Sequence, residues 1–324
     1  MTAAAFFLIL FSAGLHATWN MIAKKERMSL AFYALLCSIG AFWSFGVRFF
    51  TPIGFFTMPP KFYLMTCGTL TGELLYGCGL VLAYRTLDMS TAYPMMRSLP
   101  LLFIPVITTS LGWGKPLSVQ AYAGMAVIFA GCLVMPLAKI SDFKLKNYLN
   151  RGMLFIILVA IGTTLYTTFD SQSQKVLREA YPEVSATMRS LSYYSFRALI
   201  LALIFWTIVG CFRRTREEAL DIWRRRSWMP LVAGCCSSLT YLSVLLAMNF
   251  VTNVAYVQAF RQLGLLIGML EGVFILKERC TVPKVVGIVL ILGGLTLSVL
   301  PTIILFIIFQ DKLVKGMMAG AVKG

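Results

Sequence analysis

The chain has 324 residues, of which 59% are apolar and 13% are charged, whereas soluble domains carry roughly 25% charged residues. This composition excludes an ordinary soluble protein and indicates a chain that has lipid as its solvent. The formal net charge of +16 is explained by basic loops that face anionic lipid headgroups. We therefore expect the lipid bilayer as a partner and no nucleic acid.

Apolar runs of about 20 residues, separated by charges or by Pro and Gly clusters, predict ten transmembrane helices and an all-α integral membrane fold. The first run lacks the basic start of a signal peptide and is expected to remain as a helix. The longest polar connections, 139–151 and 213–226, are too short to fold alone. In chain order the predicted helices cover residues 3–23, 28–50, 62–83, 88–112, 117–138, 152–172, 184–211, 228–250, 254–276 and 283–309.

The two halves of the chain repeat each other at an offset of about 163 residues. Five helices is an odd number, so the second half must enter the membrane from the opposite side. The sequence therefore predicts two inverted five-helix repeats, residues 1–150 and 151–324, that meet around a central site. The matching positions are Ala92 and Ala255, Tyr93 and Tyr256, Arg97 and Arg261, Gly124 and Gly287, and Gly131 and Gly294.

Lys and Arg are concentrated in the connections that follow the odd-numbered predicted helices, such as 24–27, 139–151 and 213–226. The positive-inside rule places these connections in the cytoplasm and both termini outside. The matched glycines of the predicted fifth and tenth helices form a smooth strip that we interpret as scaffold.

Helix-weakening residues lie next to the matched arginines. Pro94, Pro100 and Pro105 each lack an amide donor, which predicts a kink or partial unwinding beside Arg97. Gly264 is the counterpart of Pro100 in the second half. The two weak points are therefore predicted hinges for alternating access.

The family pattern is carried by three stretches: GLHATWNMIAKK at 14–25, STAYPMMRSLPLLFIPVITTSLGWGKP at 90–116, and VAYVQAFRQLGLLIGMLEGVFILKERCT at 254–281. They resemble the first, fourth and ninth helices of the EamA-type ten-helix transporters of the drug/metabolite transporter superfamily. The Leu-Lys-Glu-Arg run that ends at Arg279 is typical of this family. The resemblance implies a secondary transporter, often an exporter of amino acids, metabolites or drugs, and sometimes a carrier of nucleotide-linked or phosphorylated compounds.

Charged residues at membrane depth are candidate functional residues, because each is costly there unless it is paired or wetted. Glu73 and Arg97 lie at comparable depth on neighbouring predicted helices, and they could pair if the registration of these helices is right. This pair is either a static link or contains, in Glu73, a carboxylate whose protonation is exchanged for substrate. Arg261 has no matching acid, since Cys236 is the equivalent of Glu73, and is the better candidate for gripping a carboxylate or phosphate. The alternatives for Arg261 are bonds to Gln262, to helix-end carbonyls or to Glu73.

Aromatic and amide side chains in the interiors of the predicted helices complete the expected cavity, because they offer apolar faces with hydrogen-bonding edges. Each is alternatively a packing residue or an interfacial anchor. Tyr76 is the strongest aromatic candidate, since it shares a helix face with Glu73, and Asp170 is expected at a gate or an interface. The candidate substrate-binding residues are Trp19, Asn20, Glu73, Tyr76, Tyr93, Arg97, Tyr166, Tyr241, Tyr256, Gln258 and Arg261, with Glu73 as the proton-coupling candidate.

These patterns favour a secondary-active transporter of small polar or amphipathic metabolites such as amino acids, in the inner membrane, as a monomer or homodimer. An exporter or exchanger that works by alternating access is expected. The alternative is a carrier of an anionic metabolite (a nucleotide derivative, sugar phosphate or lipid-linked phosphate) gripped by Arg97 and Arg261. An enzyme and a channel are both less favoured, and no metal or cofactor is expected, because the eight cysteines lack paired spacing and His16 has no metal-ligand partner nearby in the sequence.

Overall fold

The computed structural model describes residues 3–87, 89–143, 151–275, 277 and 279–298. Regular structure in these ranges is helical, with 3-10 turns at Gly46–Phe49 and Ile140–Asp142. The end of the predicted tenth helix, the C-terminal tail and most of the predicted connection 139–151 lie outside the described residues. The helices are α1 (Ala3–Lys25), α2 (Leu30–Phe45), α3 (Pro60–Thr86), α4 (Met89–Ser98), α5 (Pro100–Ser110), α6 (Val119–Val134), α7 (Arg151–Ala180), α8 (Ala186–Cys211), α9 (Arg213–Arg224), α10 (Met229–Met248), α11 (Val254–Phe260), α12 (Leu263–Phe274) and α13 (Val282–Ser298).

Side-chain caps define where several helices begin. The hydroxyls of Ser29, Ser118 and Ser185 accept hydrogen bonds from the first-turn amides of α2, α6 and α8. Asn253 does the same for α11. These side chains satisfy amide groups that a helix leaves without partners at its start, so short polar residues between apolar runs are enough to set the boundaries.

Six helices are long and apolar enough to cross a membrane: α1, α2 with its following turn, α3, α7, α8 and α10. Within the described ranges no strand accompanies them. This pattern fits an all-helical integral membrane protein, as the composition predicted. The shorter apolar helices are α6 and α13.

Two predicted spans are each broken into a pair of helices. Residues 88–112 form α4 and α5, which are separated at Leu99, and residues 254–276 form α11 and α12, which are separated at Arg261 and Gln262. Pro100 is the first residue of α5, where its missing amide costs nothing, and its ring disfavours a continuous helix before it. Of the three prolines, only Pro100 coincides with the break, because Pro94 and Pro105 lie inside α4 and α5.

The polar connection 213–226 is helical for most of its length. It forms α9, a strongly amphipathic helix whose exposed ion pairs link residues one turn apart. One of them lowers the pKa of Asp221, since the carboxylate accepts a hydrogen bond from Arg225.

Glycines let helices of the two halves approach closely. A Cβ atom at Gly72 on α3 would lie 2.5 Å from the backbone nitrogen of Tyr166, and one at Gly162 on α7 would lie 2.5 Å from the backbone nitrogen of Tyr76. Real Cβ atoms do not come that near, so α3 and α7 pack backbone to backbone here. The same contact brings the rings of Tyr76 and Tyr166 to a centroid distance of 5.6 Å.

The glycine strips of α6 and α13 pack against each other. A Cβ atom at Gly131 would lie 2.7 Å from the carbonyl oxygen of Gly287, and one at Gly124 would lie 2.5 Å from that of Gly294. The strip is therefore a contact between the two halves of this chain.

Candidate functional site

Two adjoining cavities lie among the helices. The first has about 580 Å³ of empty space and the second about 350 Å³, in each case including space that is open to solvent. They share a wall made of His16, Tyr76, Tyr166 and Arg261. This shared wall draws on α1, α3, α7 and the break between α11 and α12, so both halves of the chain contribute to it.

The structure brings most of the predicted site residues to these cavities. Tyr256 is the exception and lines neither of them, because it is two residues from Gln258 on α11 and so points to a different side of that helix. The first cavity contains Trp19, Glu73, Tyr76, Tyr166, Tyr241 and Arg261, and the second contains Asn20, Tyr76, Tyr93, Arg97, Tyr166, Gln258 and Arg261.

Glu73 pairs with Arg197 of α8, and the predicted pair with Arg97 was wrong. The Arg197 guanidinium donates to one carboxylate oxygen, and the Tyr33 hydroxyl donates to the other at 2.8 Å. Arg197 also lies over the ring of Tyr241, 3.9 Å from its centroid. The sequence carried a signal for Arg197, since it too is a charge in the middle of an apolar run.

Arg97 instead ties the two broken segments together. Its guanidinium donates to the Arg261 carbonyl, which the break at that residue leaves outside a helix, and to the Gln262 side chain at 3.3 Å. In return the Gln262 amide donates to the Arg97 carbonyl at 3.2 Å. The Arg261 carbonyl also accepts a hydrogen bond from the Gly264 amide at 3.1 Å, so it has both a backbone donor and a side-chain donor. At each break a side chain thus donates to a backbone carbonyl of the other break.

Asp170 lies behind the first cavity and is completely buried. Its carboxylate accepts hydrogen bonds from Tyr193, from Tyr241 and, at 2.8 Å, from Thr69. Because Tyr241 also lines the cavity and supports Arg197, Asp170 fixes the orientation of part of the cavity wall.

Arg261 is a charged wall residue that has no carboxylate partner among the described residues, although its side chain is hydrogen-bonded with that of Tyr166. Its side chain is buried, its Nε has no hydrogen-bond partner, and no carboxylate among the described residues lies within ion-pair distance of it. The side-chain oxygen of Gln258, one turn earlier, is also buried without a partner. The two cavities therefore present an unneutralised cation and a free acceptor.

The α1 wall residues are largely committed to each other. The Trp19 indole donates to Nδ1 of His16 at 3.1 Å, and the Asn20 amide donates to the His16 carbonyl at 2.7 Å. The Asn20 oxygen accepts from Tyr84 at 2.8 Å. Tyr84 also lines a wide polar vestibule at the basic end of α1 and α3, so its bond to Asn20 lies between that vestibule and the second cavity.

Comparison with known proteins agrees with this architecture. The model of the EamA-like transporter family matches residues 150–300, just under half of the chain. A solved crystal structure, described only as that of a protein, covers 93% of this chain and 98% of its own with a TM-score of 0.64. Its 14% sequence identity shows a shared fold alone.

A much shorter similarity links the chain to a protein of Caldicellulosiruptor sp. (strain Rt8B.4), provisionally named ABC transporter permease protein ORF2. The two are 65% identical over 34 residues, which is 10% of this chain and 12% of that protein. The chain thus spans only a small part of this curated relative. The family match and the six apolar helices together support a multi-pass membrane transporter.

Proposed function

We propose that this protein is a secondary transporter of the inner membrane that carries a small metabolite bearing a carboxylate, for which an amino acid is the simplest case. The observation that carries the proposal is Arg261, a buried guanidinium that faces both cavities without a counter-charge. A buried cation is costly unless something neutralises it. An anionic substrate group would do so, and a guanidinium can bind a carboxylate through two parallel hydrogen bonds.

The aromatic wall suits the rest of such a substrate. The rings of Tyr76, Tyr166 and Tyr241 follow each other edge to face, with centroid distances of 5.6 Å between neighbours. They offer apolar area beside the guanidinium, which favours a large apolar or aromatic side chain. The unpaired Gln258 oxygen is a suitable acceptor for an ammonium group.

Alternating access around two inverted five-helix repeats is the mechanism that we propose. Its support is the way that the helices pair across the halves: α3 packs on α7, and α1 packs on α10. In the two proposed repeats, α1 is equivalent to α7 and α3 is equivalent to α10. Exchanging the halves therefore converts the contact between α3 and α7 into the contact between α10 and α1, as a pseudo-two-fold axis requires. The two breaks beside Arg97 and Arg261 then act as hinges, and export is the direction that the family resemblance favours.

A second candidate is a carrier of phosphorylated anions, because Arg97 lines the second cavity together with Arg261. This candidate requires Arg97 to leave the Arg261 carbonyl. Proton coupling through Glu73 is a separate hypothesis. Protonation of Glu73 would release Arg197 from its ion pair, and that release would be the coupling step.

The proposal is tested with matched ligands. Purified protein is heated with phenylalanine, with 3-phenylpropionate, which lacks the ammonium group, and with phenylalaninamide, which lacks the carboxylate. We expect the two carboxylates to raise the melting temperature and the amide to leave it unchanged. Equal stabilisation by the amide would refute anion recognition, and a response to glucose 6-phosphate alone would favour the second candidate.

Transport itself is measured as counterflow of labelled phenylalanine in proteoliposomes, with and without an imposed pH gradient. A gradient-dependent accumulation that Glu73→Gln abolishes supports proton coupling. Accumulation of labelled phenylalanine that is the same with and without the pH gradient supports substrate exchange that is not coupled to protons.

A further inference from the structure

A second, larger cavity system lies on the flank of the protein, away from the two central cavities. It is a groove between α2, α8, α9 and the start of α10, and we call it the lateral groove. It holds about 1930 Å³ of space, including its open side. Its apolar lining consists of Leu35, Ile39, Trp206, Val209, Gly210, Ala219, Leu220, Ile222, Trp223, Trp228, Pro230 and Leu231, and its polar lining of Arg216, Arg226 and Ser227.

Large apolar side chains remain exposed along this groove. Trp223 and Trp228 are 82% and 76% exposed, and Leu220 is 54% exposed. Tryptophan is enriched at the level of lipid headgroups, where its ring is apolar on one side and its N–H meets water. The exposed tryptophans of the groove are therefore of the kind expected where the apolar core of a bilayer gives way to headgroups.

The rim of the groove carries the positive charge of Arg216 and Arg226, and this charge is not neutralised by ion pairs within the described residues. Most other arginines of α9 have acidic partners one turn away, as Arg213 has Glu217 at 2.9 Å. Arg216 uses one nitrogen to donate to the Gly210 carbonyl at 2.8 Å, and Arg226 is exposed. Neither of them has a carboxylate within ion-pair distance in the part of the chain that the structure describes.

We propose that the lateral groove binds an anionic phospholipid. One acyl chain lies along the apolar wall formed by α2, α8 and α10, and the phosphate is held by Arg216 and Arg226. Guanidinium groups bind phosphate oxygens through short charge-assisted hydrogen bonds, and basic residues beside a membrane attract anionic lipids. The amphipathic helix α9 lies along the interface, and it holds Arg216 at headgroup level, while Arg226 lies there in the turn that follows the helix.

The groove also explains an open position on α8. A side chain at Gly210 would meet no atom within 4 Å, because the space beside it belongs to the groove. Gly210→Leu should therefore fill the path of the acyl chain without disturbing the fold, and it leaves both arginines in place.

The test compares lipids on delipidated full-length protein in detergent. Bound lipid is counted by native mass spectrometry after titration with dioleoylphosphatidylglycerol or dioleoylphosphatidylcholine, with soluble glycerol 3-phosphate as a competitor. The double variant Arg216→Gln/Arg226→Gln removes the proposed phosphate contacts. Arg213→Gln is the matched control, because Arg213 lies on the same helix outside the groove.

We expect the wild type and Arg213→Gln to prefer phosphatidylglycerol. The double variant should lose at least tenfold in affinity for that lipid, and Gly210→Leu should lose affinity for both lipids. Equal binding of the two lipids by the wild type, or unchanged preference in the double variant, would overturn the proposal. Complete displacement by glycerol 3-phosphate would also overturn it, since it would mean that the arginines form a free phosphate site rather than a lipid site.

Discussion

Replacing Arg261 with glutamine should separate ligand binding from stability. Most buried arginines are held by partners, so their removal damages the fold. Arg261 differs from Arg197, because no carboxylate of the described chain neutralises it and its side chain is held by a hydrogen bond with Tyr166 instead. Its removal takes away a charge whose burial the protein does not compensate.

Arg261→Gln should change the stability of the ligand-free protein and its affinity for ligand in opposite directions. The effective penalty for burying an ion is several kcal/mol, so the ligand-free variant should be as stable as the wild type or more stable. A hydrogen bond to a charged group contributes about 1.5–3 kcal/mol, and its loss should weaken binding of a carboxylate ligand about 10- to 150-fold. Arg261→Lys keeps the charge but loses the two-pronged geometry, so it should bind with intermediate affinity.

The assay is thermal denaturation of each variant across a titration of phenylalanine, which gives the ligand-free melting temperature and the ligand-induced shift from the same samples. A variant that melts well below the wild type but keeps a normal ligand shift would refute the reasoning. That outcome would make Arg261 a structural residue and leave the anion site unassigned.

Three further predictions concern the framework. Arg197→Gln leaves the Glu73 carboxylate buried without its cation and should lower the unfolding free energy by about 3–5 kcal/mol. Adding Glu73→Gln should restore most of this loss, which a double-mutant cycle of unfolding free energies measures. Gly131→Ala places a methyl group 2.7 Å from a backbone carbonyl of α13 and should lower the unfolding free energy by about 1–3 kcal/mol. Gly293→Ala is the control, because its methyl group would meet open space. Equal melting temperatures of the two variants would contradict the close contact at Gly131. The lowered pKa of Asp221 gives α9 a stabilisation that is present above the ordinary pKa of 3.8 and is lost as the pH falls through the lowered pKa. NMR shifts of the Asp221 carboxyl group should therefore show a titration midpoint below 3.8.

The sequence predicted those features that depend on local pattern. Apolar runs located the long helices, and Pro100 located the break beside Arg97 within a residue or two. Tyr76 and Glu73 were placed in one cavity from their spacing on a single helix, and the structure agrees. Each of these inferences needs only the geometry of one helix.

Partners on different helices could not be predicted in the same way. Depth along the membrane allowed Glu73 to pair with Arg97, but the rotation of α3 against α8 brings Arg197 to it instead. The rotation of α3 about its own axis is constrained by its close glycine contacts with α7, such as the one at Gly72, and these contacts become visible only when the helices are packed. The amphipathic helix α9 was missed for another reason, because a search for long apolar runs passes over a short helix with one apolar face.

Arg261 joins the proposed ligand site to one of the proposed hinges. Its side chain faces the cavities, while its carbonyl receives the guanidinium of Arg97 from the other break. A ligand shifts a conformational equilibrium only by the difference in its affinity for the two states. A binding group on rigid helix would offer the same geometry in both states, whereas one on the break moves when the break changes its backbone conformation. Substrate held by Arg261 would therefore favour one conformation of the hydrogen-bonded link between Arg97 and the Arg261 carbonyl. Alternating access requires such a difference in substrate contacts between its two states.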